Sequence, residues 1–274
     1  MTWKININSD MGEGYGRWQL GPDEDLIPLV PTVNIACGYH AGDPRIMRRV
    51  AAAAIAAGAD VGPHVSLPDL RGFGRRPIEI DPDDLRDDVL YQIGALDGFV
   101  RAEGGTMRHV KPHGSLYAMC GRREEYARAL LGAVAGFDKS LIVIVGQGWP
   151  QRLAAEYGLT VVYEGYIDLD YQPDGFPRVE PVKLPRDPDE VVRRALGIVR
   201  AQSAVAVDGS RVEVAAPTVC VHGDMPGENE VARNLLKRLA KEDVEVVGLA
   251  EAVGLTGAVG TGTAGPTGAV RNRL

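Results

Sequence analysis

Carboxylates, histidines and one lysine recur in this chain at one kind of position, the C-terminal end of a short alternating segment. Asp10 and Glu13 stand in Asn8-Ser9-Asp10-Met11-Gly12-Glu13, and Asn34 precedes the run Cys37-Gly38-Tyr39-His40-Ala41-Gly42-Asp43. His64, then Lys111 with His113, Glu164, and finally His222 with Asp224 close further segments. A carboxylate such as Asp10 or Glu13 can take a proton from water. An imidazole such as His113 can return one to a leaving nitrogen, because it titrates near working pH. Lys111 and the pair Arg75-Arg76 suit a carboxylate, a phosphate or a developing oxyanion. Together these groups are the equipment of a hydrolase.

Each residue alone has a plainer explanation. A histidine at a strand end is often only a satisfied polar residue, and His109, set earlier in its segment, reads equally well as a buried spacer. Asp43, Asp81, Asp83, Asp84 and Asp187 are helix caps and first-turn charges. As a group, the four histidines at or just past strand ends point to a catalytic centre. The H-E-x-x-H zinc pattern is absent, and His109 and His113 lie about 13 Å apart along a strand, too far to chelate one ion. No metal set is assigned, although an ion held between strands, for example by Asp10, His40 and His64, stays open. There is no P-loop, no dinucleotide fingerprint and no G-x-S-x-G elbow.

Eight segments are expected as strands to position these groups: residues 3–8, 32–37, 59–64, 107–113, 141–146, 160–164, 218–222 and 244–247. Asp43-Pro44, Asp81-Pro82 and Asp187-Pro188 each place a capping carboxylate before a proline at the first helical position. Gly58, Gly104-Gly105, Gly136 and Gly158 supply left-handed helix exits. Strands alternating with helices imply parallel βαβ units, hence a barrel or a doubly wound sheet. Parity adds a further clue, since side chains alternate between the two faces of a strand. Asn6, Asn8 and Asp10 share one face while Ile5 and Ile7 share the other; His109, Lys111 and His113 oppose Val110 and Pro112; Thr218, Cys220 and His222 oppose Val219 and Val221. Helices must pack on the apolar faces, so the polar faces line the interior and make a ligand cavity there.

A length of 274 residues suits one α/β barrel. With 45% apolar and 24% charged residues the chain can bury a full core, and its net charge of −7 argues against nucleic-acid or anionic-membrane partners. The N-terminus lacks a signal-peptide h-region, and Ala51–Ala57 is too short to span a bilayer, so a cytoplasmic location is expected. Cys37, Cys120 and Cys220 are scattered and form no disulfide framework. One catalytic domain is expected over residues 1–253, followed by a Gly/Thr-rich tail over 254–274, with a proline-rich connection between Asp168 and Asp187.

At these same residues the chain resembles the LamB/YcsF family. The matching stretches are Asn8 to Glu13, Asn34 to Pro44, Gly72-Phe73-Gly74-Arg75-Arg76, Lys111-Pro112-His113-Gly114-Ser115-Leu116-Tyr117, and Cys220-Val221-His222-Gly223-Asp224. The resemblance implies a distorted TIM-like barrel of seven to eight β/α units, related to the glycoside hydrolase/polysaccharide deacetylase architecture. It implies the A component of an ATP-hydrolysing 5-oxoprolinase, working with subunits B and C on a small lactam, with ATP consumed by the complex. Asp10, Glu13, His40, His64, Lys111 and His113 are then expected as catalytic residues. Asn34, Arg75, Arg76, Glu164, His222 and Asp224 are expected to bind substrate. One departure concerns Glu164-Gly165-Tyr166-Ile167-Asp168-Leu169, where leucine replaces the arginine common at the last position. Two other readings stand beside this one: a stand-alone metal-dependent amidohydrolase or deacetylase, and a non-catalytic accessory subunit.

Overall fold

The computed structural model describes residues 2–21, 23–178, 185–224 and 227–255. Its strands are β1 (Trp3–Met11), β2 (Thr32–Ala36), β3 (Asp60–Val65), β4 (His109–Pro112), β5 (Ile142–Val145), β6 (Thr160–Tyr166), β7 (Ser203–Val205), β8 (Arg211–Glu213), β9 (Thr218–Cys220) and β10 (Val244–Val246). The helices are α1 (Asp23–Leu26), α2 (Pro44–Ala56), α3 (Pro82–Ala102), α4 (Gly114–Arg122), α5 (Glu124–Phe137), α6 (Trp149–Tyr157), α7 (Pro188–Ala201), α8 (Glu228–Lys241) and α9 (Leu249–Ala252).

β1 to β6 pair in parallel in chain order, β6 continues to β9, and β9 returns to β1. Seven parallel strands thus close a barrel. The eighth expected strand, β10, pairs only with the first residues of β1, Trp3 to Ile5. All eight expected strands form. The antiparallel pair β7–β8 is additional to them, although its turn carries Asp208-Gly209 with Gly209 at φ 84°, a common hairpin signal. The tail lies outside the described residues from position 256 onward, as do residues 179–184 of the proline-rich connection.

The capping carboxylates act as expected. Asp43, Asp81 and Asp187 each accept a backbone N–H of the following first turn, and Gly58, Gly104 and Gly158 take positive φ just past their helices. Gly136 is the exception, since α5 runs on through it to Phe137. Asp43 also accepts the amide of Gly16 at 2.8 Å, which ties the loop after β1 to the start of α2. Asp43→Ala is therefore expected to lower stability by about 1 kcal/mol, read from the urea midpoint; an unchanged midpoint would show that the cap contributes nothing.

Helices cover the barrel from outside. Leu85, Val89, Ile93 and Leu96 of α3 and Leu130 and Val134 of α5 are fully buried, and each such side chain contributes about 1.5–3 kcal/mol by leaving water. The outward strand residues Ile5, Ile7, Val110, Val219 and Val221 join this core. On the inner side, Ile142, Ile144 and Val162 pack with Leu249 of α9 in a separate cluster. The rest of the interior is polar, as the parity of β1, β4 and β9 requires.

Candidate active site

A column of hydrogen bonds fills the barrel. Asn6 donates to Thr32 Oγ1 at 2.9 Å, Asn8 donates to Thr218 Oγ1 at 2.8 Å, and Thr218 donates back to Asn6 at 2.7 Å. Above them Asn34 donates its amide to Asn8 Oδ1 and Asp10 Oδ1, both at 2.8 Å, while its own oxygen accepts from His109 Nε2 at 2.7 Å. The ionised Asp10 carboxylate only accepts, so it fixes which way the Asn34 amide points, and the Asn34 oxygen in turn takes the proton of His109 Nε2 from below. In a closed barrel these side chains reach one another only because neighbouring strands place them side by side, as in the pairing Asp10↔Asn34.

Lys111 crowns the column. Its ammonium lies 2.9 Å from Asp10 Oδ1, 2.8 Å from Glu164 Oε1, 3.1 Å from Asn8 Oδ1 and 3.2 Å from Cys220 Sγ. Burial alone would lower the Lys111 pKa, but Asp10, Cys220 and Glu164 outweigh it and hold the group well above its usual range. Burial would likewise raise Asp10, yet His64 and Lys111 hold it well below the usual carboxylate range. The pair is therefore ionised throughout the working pH range.

Beside Asp10 sits a histidine cluster. His64 Nε2 is 3.3 Å from Asp10 Oδ2, and His113 Nδ1 is 2.9 Å from His64 Nε2. Glu13 Oε1 lies 3.1 Å from His40 Nε2 and 3.3 Å from His113 Nδ1. His40 stacks on His113 with centroids 3.7 Å apart and planes 7° apart. Burial, reinforced by neighbouring imidazoles, pushes both His40 and His113 well below the usual histidine range. Gly74, at φ 64°, closes this cluster: a Cβ there would come within 2.7 Å of His113 Cδ2 and 2.9 Å of His40 Cβ. Across the cavity, His222 Nδ1 is 2.9 Å from both oxygens of buried Asp168, which leaves Nε2 directed at Asp10 Oδ2, 3.9 Å away.

These groups border a cavity at the C-terminal ends of the strands. Asp10, His64, Arg75, Lys111, His113, Glu164 and His222 line it. Glu13 and His40 stand behind the histidines that do. Arg75 pairs with Asp224 at 2.5 Å and lies over the Phe73 ring. Three residues expected to bind substrate are placed otherwise, and of these Asp224 stands behind Arg75 as its partner and does not line the cavity. Arg76 turns to the buried carboxylate of Asp69 with its own side chain largely exposed, and so braces the loop instead of facing the cavity. Asn34 lies beneath Asp10 and orients it. Tyr117 and Tyr166 also line the cavity and Asp168 holds His222, positions to which the sequence reading gives no role. Tyr166 follows Glu164 by two residues and so shares its inward face, while Tyr117 closes the Lys111–Tyr117 motif one turn into α4. Leu169 also lines the cavity.

His109 offers a pH test. Burial, then Lys111 and His64, push its pKa down to about 3. The unfolded chain takes up a proton near pH ~6.5 that the native state refuses. Stability from this group is therefore complete above pH ~6.5 and declines below it toward the folded value, by at most about 1.4 kcal/mol per pH unit. His109→Gln keeps a donor for Asn34 and is expected to flatten the fall of the urea midpoint between pH 7 and pH 5 (~2 units). Parallel slopes in the two proteins would remove His109 as a source of acid sensitivity.

Comparison with known proteins adds a family. A model described as LamB/YcsF family matches residues 5–254. The chain belongs to the LamB/YcsF family. Within it, the chain is 44% identical over 253 residues to a Methylococcus capsulatus protein named as the A component of 5-oxoprolinase, covering 91% of this chain and 97% of that one. A Nocardia farcinica protein of the same name is 46% identical over 246 residues, covering 88% of this chain and 98% of that one. The crystal structure of a lactam utilization protein from Thermus thermophilus is 42% identical, covers 90% of this chain and 100% of that one, and superposes with a TM-score of 0.82. Membership explains why the motifs quoted from the sequence, scattered over more than 200 positions, converge on one barrel mouth. Among the described residues of this LamB/YcsF chain, no helix is long and apolar enough to cross a membrane, and its three cysteines are buried and unbonded.

Proposed function

We propose that this chain is the A component of an ATP-dependent 5-oxoprolinase that opens the lactam of 5-oxoproline to glutamate together with subunits B and C. The observation that carries the reading is the near-complete alignment with relatives of that name, over a chain whose cavity gathers an ionised carboxylate, a histidine–aspartate pair and an arginine at one barrel mouth. A five-membered lactam is a stabilised amide whose amine stays close to the carbonyl, so ring closure competes with hydrolysis. Transfer of the ATP γ-phosphoryl group to the lactam oxygen, in the complex, makes the ring carbon electrophilic. Water then adds to that carbon, the C–N bond breaks with a proton passing to nitrogen, and the resulting acyl phosphate is hydrolysed by a second water to glutamate and phosphate.

In this reading two of the roles differ from those the sequence alone suggests. Asp10, held ionised, accepts the proton of the attacking water. The leaving nitrogen takes its proton from His222, because His113 already donates Nε2–H to the Phe73 carbonyl at 2.8 Å and burial keeps it neutral. Lys111 has its donors committed to Asp10, Glu164 and Asn8, so it positions Asp10, while Arg75 is the cation that faces phosphate or carboxylate. Tyr117 and Tyr166, whose pKa values burial raises well above the usual range, find no hydrogen-bond partner beyond one another among the described residues and supply hydroxyl donors to the ring. The deciding experiment is 5-oxoproline-dependent release of glutamate and phosphate by this chain with and without subunits B and C. Stoichiometric release requiring all three supports the proposal. ATP-independent amide hydrolysis by the chain alone would replace it with a stand-alone amidohydrolase.

A further inference from the structure

His64 and His113 meet in an arrangement that two neutral imidazoles do not tolerate unaided. His64 Nδ1 lies 3.1 Å from the Lys111 carbonyl oxygen, and His113 Nε2 lies 2.8 Å from that of Phe73. A carbonyl oxygen only accepts, so both of these nitrogens carry protons. While both rings are neutral, the other two, His64 Nε2 and His113 Nδ1, each present a lone pair and face one another across 2.9 Å, a contact that only a proton or a metal ion between them relieves. Glu13 Oε1 completes the triangle, 3.3 Å from His113 Nδ1 and 3.9 Å from His64 Nε2. Three electron-rich atoms converge on one point, and something positive must sit among them.

The surrounding charge agrees. Asp10, Glu13, Glu164 and Asp168 are all buried around this end of the barrel, and among the described residues the only buried lysine or arginine is Lys111. The geometry points to a divalent transition-metal ion of the zinc type, bound by Glu13 Oε1, His64 Nε2 and His113 Nδ1. Ligands of a tetrahedral zinc, each about 2.0–2.1 Å from the metal, stand about 3.4 Å apart, close to the spacings of this triangle. The two backbone carbonyls are the outer partners that fix the tautomer and aim of metal-binding histidines.

His40 does not belong to the set, although its nitrogen is near. Its ring is parallel to that of His113 at 3.7 Å, so an ion in the plane of one imidazole lies well out of the plane of the other. Instead its Nε2, 3.1 Å from Glu13 Oε1, orients the carboxylate. Three protein ligands leave a fourth position open, the arrangement of catalytic zinc. His64, His113 and Asp10 all line the cavity, so a water at that position is polarised within reach of the Asp10 carboxylate. The ligand set differs from the Asp10–His40–His64 grouping suggested by strand order. It stands on ligand geometry and does not rest on the 5-oxoprolinase reading.

The test is metal content and zinc titration of the full chain. Protein purified from zinc-supplemented medium is expected to carry about one ion per chain by elemental mass spectrometry, and chelator-stripped protein to regain it on titration. His64→Gln and His113→Gln should weaken zinc binding by about 100-fold or more, whereas His222→Gln, outside the triangle, should leave it unchanged. Cobalt added to stripped wild-type protein should give visible absorption bands of a tetrahedral N/O site, a readout that does not depend on the variants folding. Substoichiometric metal, undiminished zinc binding in the two ligand variants, or cobalt without such bands would each overturn the ion and leave a shared proton between the imidazoles. Metal content and lactam opening are read separately. Zinc bound without 5-oxoproline turnover removes the function and keeps the ion, and turnover by a chain that binds no zinc does the reverse.

Discussion

Asp10→Asn is expected to lower 5-oxoproline-dependent glutamate release by the reconstituted complex about 10²–10⁴-fold while leaving the chain folded. Asparagine matches aspartate in shape, and its carbonyl can still accept from Asn34 and Lys111 as Asp10 Oδ1 does at 2.8 and 2.9 Å. What it loses is the second carboxylate oxygen, the one near His64 and His222 at 3.3 and 3.9 Å. On the proposed mechanism that oxygen takes the proton of the attacking water. The loss should appear in kcat with KM little changed, since the residue acts on the reacting water and not on the ring. Turnover within about tenfold of wild type would remove Asp10 as the base and shift attention to Glu13.

Lys111→Met is expected to produce the largest loss of stability, about 3–5 kcal/mol by urea unfolding. Methionine approximates the volume of lysine, so little of the effect is packing. The cost is electrostatic: Asp10 and Glu164 both face the ammonium, at 2.9 and 2.8 Å, in a site where Glu164 is fully buried. Without it two carboxylates share a buried site that no buried lysine or arginine among the described residues neutralises. One of them must then take up a proton or the barrel must open. Adding Glu164→Gln should recover a substantial part of the loss, because it removes one of the stranded charges together with its partner. If the double variant is no more stable than Lys111→Met alone, the lysine stabilises through some contact other than this pair.

How much was legible in advance depends on the range of the interaction. The expected strands, the caps at Asp43, Asp81 and Asp187 and the polar inner face follow from spacing of two residues in strands and from side chains bonding to their own backbone. These are local rules, and they held. The same rules failed at Gly136, where α5 continues because packing of its apolar face outweighs the cost of a helical glycine. They also passed over the β7–β8 hairpin, whose strands are only three residues long.

The site divides in the same way. Sequence by itself determined which residue types stand at strand ends, and hence that carboxylates, imidazoles and an ammonium gather at the mouth of a barrel. It could not determine their partners, because those lie tens to hundreds of positions away. Arg76 and Arg75 are adjacent in the chain, yet one turns to Asp69 and the other to Asp224. His113 and His222 look alike in sequence, but only the tertiary structure commits His113 to the Phe73 carbonyl and gives His222 an aspartate behind it. An imidazole's tautomer and charge are set by what faces each nitrogen, and closure of the barrel decides what that is.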